Sequence, residues 1–147
     1  GRNIMNIKFT LQSLVVTGLL TLAQAASAQV AVIVNPKSPM ASMTPEQVAS
    51  VFMGKSNTLP SGATAVPADL PESAAVREQF YSKAANKTGA QVKATWARLT
   101  FSGKATPPKE MTSAADVKKF VASNPDAIGY IEKSAVDSTV KVVLIID

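Results

Sequence analysis

Five residues carry the chemistry this sequence offers: Lys37 and Ser38 after a short apolar run, then Asp69, Ser73 and Arg77 in the stretch 68-ADLPESAAVREQF-80. That stretch reads as an extended segment, a break at Pro71, and the start of a helix. The first N–H groups of a helix lack intrahelical partners and lie at the positive end of its dipole. Such a joint presents backbone amides to a small anion, and Ser73 and Arg77 stand where they can add side-chain donors. Lys37 and Ser38 sit just beyond a strand end, the other place where open α/β sheets take ligands. Each residue also has a plain structural reading. Ser73 serves as a helix N-cap, Arg77 as an exposed arginine one turn into a helix, and Lys37-Ser38 as a solvated turn.

Other chemistries are removed by what the chain lacks. It has no cysteine and no histidine in 147 residues, so thiolate nucleophiles, disulfides, the usual zinc ligands and a histidine general base are all excluded. Ser102-Gly103-Lys104 shares only its Gly-Lys with a phosphate-binding P-loop and has no upstream glycine at the required distance. No paired carboxylates or serine–lysine motif stands out. The reading is therefore a non-enzyme, with no cofactor and no metal expected. Basic residues are dispersed, with no run longer than Lys118-Lys119, and nucleic-acid binding needs a concentrated stripe. No nucleic-acid partner is expected.

The elements that must position these residues begin after a leader. From Met5, MNIKFTLQSLVVTGLLTLAQAASAQ combines a lysine, a short apolar run and Ala26-Ser27-Ala28, the three parts of a secretory signal peptide. Residues 1–28 are expected to be leader and signal peptide, and 29–147 one exported domain. Cleavage there would remove Arg2 and Lys8, leaving 13 basic against 10 acidic residues, a net charge of +3. With 46% hydrophobic and 17% charged residues, the chain suits a globular domain.

Within that domain, Gln29–Asn35 (QVAVIVN) reads as a buried strand. The segment 44-TPEQVASVFMGK-55 reads as a helix with Thr44 as N-cap, Pro45 in the first turn, a capping box completed by Gln47, and Gly54 as the left-handed stop. Ala63–Ala68 reads as a second strand weakened by Pro67. Helices follow over about Ser73–Ala85 and over 89-GAQVKATWARLTF-101, where Trp96 falls with Val92 and Leu99 on a core face. The Gly- and Pro-rich 102-SGKATPPKE-110 predicts nothing regular. Thr112 or Ser113 caps a fourth helix, AADVKKFVAS, and Asn124-Pro125 stops it. Ala127–Ile131 and Val140–Ile146 read as strands, the latter either central or an edge. The alternation predicts an α/β fold, a mixed sheet flanked by helices.

Three pieces carry a resemblance. The stretch 48-VASVFMGKSNTLPSGATAVPADL-70 resembles the I-F-x-G-K…W-x-x-G…V-x-P segment of phosphate-type periplasmic substrate-binding proteins of ABC transporters. The piece 73-SAAVREQF-80 lies where that family has its anion-gripping S-G-T-R-x-x-F turn. The piece 123-SNPDAIGYIEKS-134 is similar to the family's T-P-G-A-I-G-Y-V signature, with Pro125, Ala127, Ile128, Gly129 and Tyr130 in register. The resemblance implies a single lobe of the periplasmic-binding-protein-like fold, where family members with full transport function have two lobes that close on the ligand. It also implies a periplasmic location, a small anion such as phosphate or a polar solute as ligand, and a membrane transporter or envelope protein as partner.

The departures from the pattern matter as much. Aligning Arg77 and Phe80 with R-x-x-F puts Ala74, Ala75 and Val76 in the S-G-T positions. The upstream arginine falls near Leu70, and Asp69 and Glu72 add negative charge. A carboxylate beside an anion is repulsive by on the order of 1 kcal/mol in water. Two expectations follow. One is a solute-binding-like protein with a degenerate anion site built from Lys37, Ser38, Asp69, Ser73 and Arg77. The other is an envelope interaction module that has lost its solute.

Overall fold

The computed structural model describes residues 28–147, so the expected signal peptide lies outside the described residues except for Ala28. No helix among them is long and apolar enough to cross a membrane. β1 (Val30–Val34) is buried along its whole length, as its β-branched run predicts. α1 (Pro45–Phe52) starts at Thr44, whose hydroxyl accepts from the Gln47 N–H while the Gln47 side chain accepts from the Thr44 N–H. Gly54 follows with φ +78°, a backbone conformation a side chain would strain.

β2 (Val66–Asp69) contains Pro67, and the pairing explains its tolerance. Val66 and Pro67 pair only with β4 (Ala127–Glu132), whereas pairing on the other side begins at Ala68. The proline thus sits where β2 has only one partner. α2 (Ala75–Phe80) widens into a π-helical turn over Tyr81–Ala85, which ends at Asn86 in the left-handed region. α3 (Gly89–Phe101) has a second capping box, from Thr88 and Gln91.

The segment 102–110 corrects the expectation that it holds nothing regular. Lys109–Glu110 form a short edge strand, β3, parallel to β2, and the Met111 N–H extends the ladder to the Asp69 carbonyl at 2.8 Å. Pro107 and Pro108 bias the chain to extended backbone just before it. α4 (Ala114–Ser123) is capped by Ser113 rather than Thr112. β4 (Ala127–Glu132) and β5 (Lys141–Ile146) complete a five-stranded sheet in the order β3-β2-β4-β1-β5. β5 is therefore an edge strand.

Helices cover both faces. A Cβ added to Gly129 would come within 2.7 Å of Val117 and 3.4 Å of Val121, so α4 lies directly on the β4 backbone on that face. Tyr130 points to the opposite face, where its ring stacks on Phe80 at 3.9 Å and meets Phe52 edge-on at 5.8 Å. Trp96 belongs to the core as well, its indole N–H donating to the Phe52 carbonyl at 2.8 Å. The result is the α/β architecture that the alternation of elements predicts.

Strand direction decides which loops can share a ligand. β2 and β4 are parallel, but β1 is antiparallel to β4, with Val34 opposite Ile128 and Val30 opposite Glu132. The end of β1 therefore lies beside the beginnings of β2 and β4. The β2–α2 junction lies at the other end of the sheet.

Candidate functional site

At the end of β2 the chain runs from Asp69 through Leu70, Pro71, Glu72 and Ser73 into α2. Asp69 is buried, and its carboxylate accepts three donors: the Leu70 N–H at 2.9 Å, the Tyr81 hydroxyl at 2.6 Å and the Tyr130 hydroxyl. A buried carboxylate is tolerable only with such partners. The two hydroxyls are held in their protonated forms. Burial pushes both well above the ordinary tyrosine range, and the negative charge and hydrogen bonds of Asp69 add to the effect.

Arg77 is buried too. One terminal nitrogen donates to the Leu70 carbonyl at 3.0 Å, and the guanidinium lies 5.3 Å from the centre of the Tyr81 ring. Its Nε is buried with no hydrogen-bond partner. This corrects the plain reading of Arg77 as an exposed surface arginine: seven residues after Leu70, it folds back to brace the junction.

Ser73 is not a cap. The turn Pro71–Ala74 closes through an Ala74 N–H to Pro71 carbonyl bond at 2.9 Å, leaving Ser73 exposed at its tip. α2 starts two residues later with Ala74 as its N-cap and no side-chain capping bond. The six-residue helix therefore begins without the hydroxyls expected around an anion.

Lys37 and Ser38 stand apart from these three. They follow β1 and thus lie at the opposite end of the sheet. The turn is committed to local structure. Asn35 is buried and donates to the Val121 and Ala122 carbonyls at 2.9 and 3.0 Å, and its side-chain oxygen accepts the Lys37 N–H at 2.9 Å. The Ser38 hydroxyl accepts the Met40 N–H at 3.2 Å, and its carbonyl accepts from Lys141. The five candidates are thus divided by the fold into a buried junction group (Asp69, Arg77, with Ser73 at its rim) and a distant turn.

A cleft of about 440 Å³ opens beside the junction between α2 and the start of α3, bordered by Glu72, Arg77, Glu78, Tyr81, Thr88 and Lys93. A smaller one of about 190 Å³ shares Glu72, Arg77 and Lys93 with it and is bordered also by Asp69, Trp96 and Glu110. Lys93 pairs with Glu72 at 3.8 Å, both exposed, which is worth little. An anion here would meet Arg77 and Lys93 but also Glu72 and Glu78. No group of His, Cys, Asp or Glu suited to a metal exists among the described residues. Sequence reasoning missed the two tyrosines as partners of Asp69.

No family model matches the sequence, and no curated protein matches it in sequence. Solved structures do match the fold. A substrate-binding protein from Clostridium perfringens with bound phosphate aligns with a TM-score of 0.64 at 20% identity, over 79% of this chain and 45% of that one. An ABC-type phosphate transport receptor from Vibrio cholerae aligns at 0.63 and 22%, over 79% and 46%. PstS from Borrelia burgdorferi aligns at 0.58 and 16%, over 79% and 47%. The chain thus spans less than half the length of each of these proteins. Their shared strand and helix arrangement makes the described domain a single-lobe relative, in fold, of phosphate-type ABC transporter substrate-binding proteins.

Proposed function

We propose that the chain is an exported, periplasmic protein of the solute-binding type, working beside a membrane transporter, with a degenerate small-anion position at the β2–α2 junction. The carrying observation is the buried, unpartnered Nε of Arg77, because a buried N–H without an acceptor is costly and an anionic oxygen would satisfy it. Arg77 is the donor in this reading, Ser73 lies at the rim, and Asp69 is the brace. Lys37 and Ser38, at the far end of the sheet, take no part. Glu72 and Glu78 weaken the position by repulsion, so affinity is low. Isothermal titration with phosphate, sulfate and acetate tests this. The expected result is weak heat with at least one anion, absent in Arg77→Gln. No heat with any of them at millimolar concentration removes the claim.

The second reading is an envelope interaction module without a solute. It is favoured by Asp69, whose carboxylate takes the Tyr81, Tyr130 and Leu70 donors from within the chain. A null titration combined with crosslinking to a transporter subunit or an envelope protein in intact cells would support it.

A further inference from the structure

A cleft of about 630 Å³ is a separate place, formed at the beginning of β2 rather than at its end. Its walls come from the loop after α1, the segment leading into β2, and the loop between α3 and β3. Lys55 and Lys104 both line it, and no aspartate or glutamate does. Neither ammonium has a carboxylate within salt-bridge reach among the described residues, whose ion pairs are Lys93–Glu72 and Lys118–Asp137. Asn57, Thr64 and Thr106 add uncharged polar groups at the rim. Val51, Ala65, Pro67 and Trp96 supply the apolar part of a mixed lining. This differs in kind from the junction, where carboxylates outnumber the bases.

Two contacts hold Trp96 in place at this cleft. Trp96 is fixed by its bond to the Phe52 carbonyl, and Gly54 lies so close to the Trp96 ring and Leu99 that an added Cβ would stand 3.1 and 2.5 Å from them. The volume lies within the range of small-molecule pockets, which combine apolar walls with a few polar groups. An ammonium is a compact point charge without the planar fork of a guanidinium. Two of them beside apolar side chains select for charge and body rather than for phosphate geometry.

The geometry points to a binding site in this cleft for a small organic carboxylate, its charged end between Lys55 and Lys104 and its apolar body against Pro67 and Trp96. The site is independent of Arg77, so it stands or falls apart from the anion position at the junction.

Trp96 is the only tryptophan in the chain, and it borders both this cleft and the small one beside Arg77, so its fluorescence is read together with variants of each. The probe is cyclohexanecarboxylate, which does not absorb where tryptophan is excited. A saturable fluorescence change is expected that weakens with added salt. Acetate and inorganic phosphate, which lack the apolar body, bind about tenfold more weakly, and cyclohexylamine gives no saturable change. The double variant Lys55→Gln/Lys104→Gln, with an unchanged melting temperature, binds at least about tenfold more weakly, while Arg77→Gln binds as the parent does. Absence of a saturable change, equal binding by acetate, phosphate or the amine, or equal binding by the double lysine variant overturns the proposal. Loss of the signal in Arg77→Gln places the ligand at the junction and overturns it as well.

Discussion

The Tyr130 hydroxyl donates to the Asp69 carboxylate across 61 residues of sequence, joining the middle of β4 to the end of β2 inside the protein. With Tyr81 bonded to the other oxygen, Asp69 ties two strands and the π-helical turn to one point. Asp69→Ala strands two buried hydroxyls and is expected to cost about 3 kcal/mol, since each unsatisfied buried donor costs about 1–3 kcal/mol. Asp69→Asn keeps one acceptor oxygen and is expected to cost less, about 1–2 kcal/mol. Urea unfolding measures both, and an alanine variant within about 0.5 kcal/mol of the parent would remove the network from the stability account.

The chain has two tyrosines, and both are in this network. Their ionisation is pushed up by burial first and by Asp69 second. In the unfolded chain they ionise near pH 10, so above that pH the folded state binds more protons than the unfolded state. Stability must then fall as pH rises. Ultraviolet titration should show no tyrosinate in the folded protein through pH 10, then cooperative appearance of both when alkali unfolds it. A single independent tyrosinate titrating near pH 10 in folded protein would contradict the arrangement.

Gly129→Ala tests the closeness of α4 to β4. The new methyl group meets the Val117 side chain at 2.7 Å, and overpacking of this kind costs about 1–3 kcal/mol. Val117→Ala removes the obstructing methyl groups, so the double variant should be less destabilised than the sum of the singles. Simple additivity in a double-mutant cycle would show that the two residues do not meet.

Thr44 and Thr88 each head a capping box. Replacing either with alanine should cost about 1 kcal/mol. The two sites share no partner, so the costs should add to within about 0.5 kcal/mol. Thermal denaturation of the three variants checks this, and a loss from only one of them would single out the cap that the fold does not need.

The local grammar of the chain was legible before any fold was known. Thr44, Pro45, Gln47 and Gly54 bounded α1, and the apolar spacing at Val92 and Trp96 marked α3. The runs of β-branched residues marked β1, β4 and β5. These features act over three or four residues, so a linear reading contains their partners. What only tertiary structure decided depends on pairings far apart in the chain. β1 lies antiparallel to β4, and that single choice sends Lys37 and Ser38 to the opposite end of the sheet from Arg77. Asp69 looked like a charge spoiling an anion site, because nothing near it announces that Tyr81 and Tyr130 converge on it. Lys109-Glu110 became a strand only because β2 offered an unpaired edge beside it. Hydrogen-bond donors and strand edges are satisfied by whatever the folded chain brings near, and sequence spacing does not record that neighbourhood.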